Sequence, residues 1–164
     1  MLKRYLLGDR DTVAGTVYGT IVVLAVLAAG ANTYKHHLWR LDAIAATSAI
    51  VLWLAHVYSH ALGESLQEGR RLDTREFAGI ARREYAVVLA AVPPVVALAL
   101  GPAGLLSATA AIWVAFGAGV VTLGAQGIRY ARLEDLSLPA AIASVTLNVA
   151  LGLALVAAEV VVSH

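Results

Sequence analysis

Apolar residues dominate this chain in long blocks, and the polar residues fall between the blocks rather than alternating with them. Runs long enough to cross about 30 Å of hydrocarbon at 1.5 Å per helical residue occur at Thr12–Ala31, Leu41–Leu62, Ser107–Ile128 and Leu138–Val162. A fifth, shorter run, Tyr85–Leu100, contains Pro93-Pro94. Two adjacent prolines remove two backbone donors, so this run is expected to kink or break there. Gly101-Pro102 supplies a turn into the next run. The pattern predicts an all-α, polytopic membrane protein with five transmembrane helices in one domain spanning residues 1–164, and a charged segment, 63–84, between the second and third.

Composition points the same way. Of 164 residues, 60% are hydrophobic and 14% charged, and the mean hydropathy is +0.77. A soluble domain carries about 25% charged residues. The lipid bilayer is therefore the principal partner. The formal net charge of +1 leaves no basic field for nucleic acid. Without cysteine there is no disulfide, thiolate metal site or thiol nucleophile. No G-x-S-x-G, glycine-rich phosphate loop or acidic phosphotransfer motif is present, and five histidines are too few for a membrane di-iron oxygenase, so no enzyme is expected.

The basic residues set an orientation. Lys3, Arg4 and Arg10 precede the first run; Arg70, Arg71, Arg75, Arg82 and Arg83 lie between the second and third; Arg129 and Arg132 lie between the fourth and fifth. These ten share one side, against Lys35 and Arg40 on the other. The positive-inside rule puts the N-terminus in the cytoplasm and the C-terminus outside. The first run is longer than the apolar part of a secretory leader and is read as a permanent span. An alanine- and valine-rich style fits a bacterial inner membrane.

Against this background, His56, His60 and Glu64 are the candidate functional residues, spaced i, i+4 and i+8 at the end of the second run. Titratable groups in a lipid-embedded helix are costly and face an interior, a cavity or a partner. Imidazole titrates near neutral pH and also binds metal. Tyr18, about 9 Å into the first run, lies at the depth of His56 if the two helices are neighbours. Together these four residues would line a polar path open to the cytoplasm, with a divalent metal ion or a proton as its ligand and no other cofactor implied. The alternative is that the histidines bond to hydroxyls such as those of Ser59 or Tyr58, or to carbonyls of a neighbouring helix, and only fix packing. Asn148 is expected to bond across helices, Glu159 to lie near the outer end, and His36 and His37 to sit in a solvated loop. Gly15 and Gly19, and Ala115 and Gly119, are small-residue pairs that let helices approach closely, within the chain or between copies.

Two segments carry a family resemblance. Residues 10–19, RDTVAGTVYG, resemble the R-D-x-I/V-x-G-x-x-D-G opening of the vacuolar iron transporter family, and residues 59–66, SHALGESL, resemble its S-M-G-x-G-E-Y-L segment. The resemblance implies five spans, a cytoplasmic N-terminus and a homodimer that exchanges protons for Fe²⁺ or Mn²⁺ along the first two spans. This chain departs from the pattern at Tyr18, where the family has Asp, at His60, where it has Met, and at Leu52, where it has a carboxylate. The 22-residue segment after the second span is too short for the acidic metal-collecting insertion of the plant and yeast members. Two readings follow: a transporter of divalent cations or protons, or a noncatalytic accessory protein that keeps the fold without transport.

Overall fold

The computed structural model describes residues 10–162, of which none is in a strand. Among the described residues seven helices follow in order: α1 Arg10–Gly30, α2 Leu38–Glu68, α3 Thr74–Arg83, α4 Ala86–Leu89, α5 Val92–Ala99, α6 Ala108–Leu133 and α7 Leu138–Val162. Lys3 and Arg4 lie outside the described residues, as does the side chain of Glu159. Four helices, α1, α2, α6 and α7, are long and apolar enough to cross a membrane.

The first helix is the centre of the bundle. Val23, Leu24, Leu27 and Thr20 are fully or almost fully buried, and 44% of the apolar window of α1 is enclosed against 6% for α7. Helix α1 packs on α2, α4, α6 and α7. Its buried hydroxyls are satisfied within the helix: Thr16 Oγ1 donates to the Thr12 carbonyl (2.7 Å) and Thr20 Oγ1 to the Thr16 carbonyl (2.8 Å). Such back-bonding hides a hydroxyl where water is absent.

Small residues set the close approaches. A Cβ on Gly19 would meet the Val87 carbonyl oxygen at 2.5 Å, and one on Gly119 would meet Leu24 Cδ2 at 2.5 Å. Both small-residue surfaces are thus filled from within the chain, where dispersion contact and not hydrophobicity drives helix pairing in lipid. At Gly127, against Val145 Cα, the backbones come near enough for Ser144 Oγ to donate to the Gly127 carbonyl (3.4 Å). This corrects the expectation for Asn148: its Nδ2 donates to the Ser144 carbonyl of its own helix (2.9 Å), and the bond between helices belongs to the residue one turn earlier.

The proline pair acts as expected. Ala90 and Ala91 separate α4 from α5, and both prolines sit in the first turn of α5, where a missing N–H costs least. Ala90 and Ala91 keep right-handed helical dihedrals, so the ladder of hydrogen bonds breaks while the chain runs on. One end of this tandem meets α2 at His60 through Glu84. At the other, a Cβ on Gly101 would strike Leu38 Cδ1 at 2.6 Å. Its two short helices thus extend beside α2 from the level of His60 to that of Leu38.

Apolar length does not mark where α2 stops. The helix continues beyond Leu62 to Glu68 and ends at Gly69, whose φ of 64° is the left-handed cap that favours glycine. The chain then folds back as α3. Asp73 accepts from the backbone N–H groups of Arg75 and Glu76, and the Glu76 carboxylate accepts from the Asp73 N–H (2.7 Å), a reciprocal capping box. Ile80 seats against Val57 and Ala61, and Trp53 Nε1 donates to the Ala81 carbonyl (3.1 Å). Helix α3 therefore lies antiparallel to the end of α2 as a hairpin.

Candidate functional site

That hairpin completes a polar recess. Ala14, Gly15 and Tyr18 of α1, His56, His60 and Glu64 of α2, and Arg83 and Glu84 at the end of α3 enclose about 320 Å³. All four residues singled out from the sequence face it. Tyr18 and His56 are in ring contact, with centroids 4.9 Å apart, so the expected match of depth between the first two long helices is realised as a contact. On the same stretch of α1, Gly19 lets the helix sit directly on Val87 and Ala90.

The histidines have different partners from those considered. His56 Nδ1 is 3.1 Å from the Leu52 carbonyl one turn back in its own helix. That leaves Nε2 as the other ring nitrogen. His60 Nδ1 lies 3.1 Å from Glu84 Oε1, an ion pair when the imidazole is protonated. The His60 side chain is 55% exposed and that of Glu84 only 15%, so the carboxylate is the enclosed member. Glu64 pairs with the Arg83 guanidinium. Basic side chain and carboxylate therefore alternate around the recess.

Helical geometry fixes what this stripe can hold. Residues four apart advance about 6 Å and rotate by about 40°, so His56, His60 and Glu64 fan around α2 as they climb it. The two imidazole centroids are 6.2 Å apart. A shared ion would need both ring nitrogens within about 2.1 Å of it. Among the described residues, no group of three or more His, Asp or Glu is arranged to hold a metal ion. The recess instead holds the Glu64–Arg83 ion pair and the His60–Glu84 contact, with the rings of Tyr18 and His56 4.9 Å apart and those of His56 and His60 6.2 Å apart.

Arg83 and Glu84 were not among the residues marked from the sequence. Each is more than 15 residues from its partner, and contact requires the fold-back at Gly69. The signal was present in the glycine stop followed by the Asp73–Glu76 capping pattern, which together start a new helix in the reverse direction. His36 and His37 are exposed in the loop before α2 and take no part.

Outside the recess, the hairpin tip carries a charge cluster in which Arg70 binds Glu68 and Glu76. The Arg70 bond, then the Asp73 N–H, hold the Glu76 carboxyl down to about 2, and Glu76 in turn raises Arg70. At the opposite end of α2, Asp42 Oδ1 is buried without a hydrogen-bond partner among the described residues.

Fold and site together define a helical membrane protein with an ionisable recess at its arginine-rich end. Comparison with protein-family models, with curated proteins and with solved structures finds no match.

Proposed function

We propose that this chain is a transporter of protons or of Fe- or Mn-like divalent cations, through a path lined by α1 and α2 and entered at the arginine-rich end. The observation that carries the reading is the recess itself. Two imidazoles, two carboxylates, a phenol and a guanidinium gathered in a bundle of lipid-facing helices are expensive to keep, and such groups mark ion and proton routes.

The chemistry follows from the pairing. A divalent cation entering the recess displaces Arg83 from Glu64 and His60 from Glu84. Nitrogen and oxygen donors freed in this way suit first-row divalent ions. A metal ion binds imidazole only in its neutral form, so a proton carried by a histidine of the recess leaves as the ion binds, which couples the two fluxes. Without a cation, the same series of groups is a proton relay. In this reading the α4–α5 tandem is a fifth crossing, the N-terminus is cytoplasmic and the C-terminus external in a bacterial inner membrane, and the protein works as a homodimer without a resident cofactor. Ten basic residues against two support the orientation. Resemblance to the vacuolar iron transporter family supports the cation class. Tyr18 in place of the family's Asp removes a fixed negative charge from the path, which favours a relay through His56.

One observation favours the accessory reading: each of His56, His60, Glu64 and Glu84 already has a partner within the chain. Uptake of Fe²⁺, Mn²⁺ and Zn²⁺ into proteoliposomes, with and without a pH gradient, separates the two. Transport predicts gradient-dependent flux that a folded His56→Ala/His60→Ala variant loses. Absence of both cation flux and luminal pH change in the native protein supports the scaffold.

A further inference from the structure

Residues 63–84 contain five arginines and five carboxylates, a formally neutral segment. The structure divides that charge unevenly. Glu64 is taken by Arg83, Glu68 and Glu76 by Arg70, Glu84 by His60, and Asp73 by the N-terminus of α3. Every carboxylate has a partner. The exposed side chains of Arg71, Arg75 and Arg82 make no ion pair or hydrogen bond among the described residues. A segment neutral by count therefore shows the solvent a cationic surface.

Two of these arginines share a face. Arg75 and Arg82 are seven residues apart, which returns to within about 20° of the same direction and separates them by about 10 Å along α3. Ile80, which seats the helix on α2, lies on the other side of it. Between the arginines are Ala78 and Gly79, and a Cβ on Gly79 would meet nothing within 4 Å. Among the described residues, no side chain covers the strip at Gly79. Its depth follows from the contacts of its neighbours: Arg83 reaches Glu64 and Glu84 reaches His60, so the C-terminal end of α3 is level with the last turn of the apolar run. Arg82 is then at the boundary of the hydrocarbon and Arg75 within reach of the headgroup layer, which is about 5–8 Å thick on each side. Arg71 stands farther out, at the hairpin tip.

We infer that this outward face of α3 binds the phosphate groups of anionic phospholipids in the leaflet at the arginine-rich end, through Arg75 and Arg82. The planar guanidinium fork pairs with phosphate oxygens in a bidentate manner. A long aliphatic stem lets Arg82 extend from the hydrocarbon edge to that layer. The inference is independent of whether the recess transports anything.

The test uses the full chain in nanodiscs and energy transfer from tryptophan, Trp53 lying beside α3, to a dansyl-labelled phosphatidylglycerol. Unlabelled phosphatidylglycerol or phosphatidylcholine competes. Each basic residue near an anionic surface is worth about fivefold in affinity, so two give a preference for the anionic lipid of about thirtyfold. Arg75→Gln/Arg82→Gln abolishes it, Arg75→Lys/Arg82→Lys keeps most of it, and Arg71→Gln changes it less than either. Circular dichroism establishes that each variant is folded. A native protein without preference, a double glutamine variant that retains it, or displacement of the labelled lipid by inorganic phosphate as readily as by phosphatidylglycerol overturns the assignment.

Discussion

Replacing Gly19 with alanine tests how the bundle is held together. The new methyl would lie 2.5 Å from the Val87 carbonyl oxygen, 2.9 Å from Ala90 Cβ and 3.1 Å from Val87 Cα. Two of these are backbone atoms, which cannot rotate away. Restoring ordinary contact at 3.4 Å means moving α1 from α4 by about 0.9 Å, the difference between the two distances. Overpacking of this kind costs about 1–3 kcal/mol, and here the upper part of that range applies because α1 is enclosed on several sides. Alanine's better helix propensity returns about 1 kcal/mol, leaving a net loss of about 1–2 kcal/mol. Gly63→Ala is the matched control: it too is helical, and nothing lies within 4 Å of its Cβ. It therefore gains the propensity alone. Unfolding by SDS in mixed micelles, followed through the three tryptophans, measures both. The two variants should differ by about 2–3 kcal/mol with opposite signs relative to the native chain. Gly19→Ala as stable as Gly63→Ala would refute close packing of α1 on Val87.

Three further outcomes follow from the hairpin and from α2. Glu76 is held at about 2 against an ordinary 4.5, so its contribution to the folded hairpin is full above about 4.5 and is lost as the pH falls toward 2; amide hydrogen exchange of residues 74–83 should accelerate over that window, and Glu76→Gln should flatten the dependence. Trp53→Phe deletes the bond to the Ala81 carbonyl while keeping an aromatic ring against Tyr85, and should cost about 1 kcal/mol, read as faster exchange in α3 with α6 unchanged. Asp42→Asn removes a carboxylate with a buried, unpartnered oxygen and should raise the melting temperature in detergent by about 2–4 °C, equivalent to about 1 kcal/mol.

Much of this architecture could be read from the chain because lipid imposes a simple rule: apolar length must match hydrocarbon thickness. Runs beginning at Thr12, Ser107 and Leu138 lie within a few residues of α1, α6 and α7. The rule describes the bilayer and not the helix, so the extension of α2 through Gly63 and Glu64 to the cap at Gly69 is read from the charged residues that follow the run and not from apolar length. It also gave no register between helices. Tyr18 and His56 could be matched by depth, since both distances count from a membrane surface. Glu84 and Arg83 could not, because their meeting with His60 and Glu64 depends on the hairpin turn. Asn148 illustrates the converse: a polar residue in mid-span needs a partner, and its own helix supplied one at Ser144.

Glu84 joins the recess only through the fold, and it gives the most direct access to the central claim that the ion pairs are stations on a path. Proteoliposomes containing the full chain would carry one dye for luminal Mn²⁺ and another for luminal pH, and native protein would be compared with Glu84→Gln at matched reconstitution. If the recess conducts, native vesicles under a pH gradient show Mn²⁺ uptake coupled to proton movement, and Glu84→Gln reduces both by at least about tenfold while remaining folded. Equal signals from the native protein and Glu84→Gln, or none from either, would contradict it and leave His60–Glu84 and Glu64–Arg83 as pairs that only fasten the hairpin to the bundle.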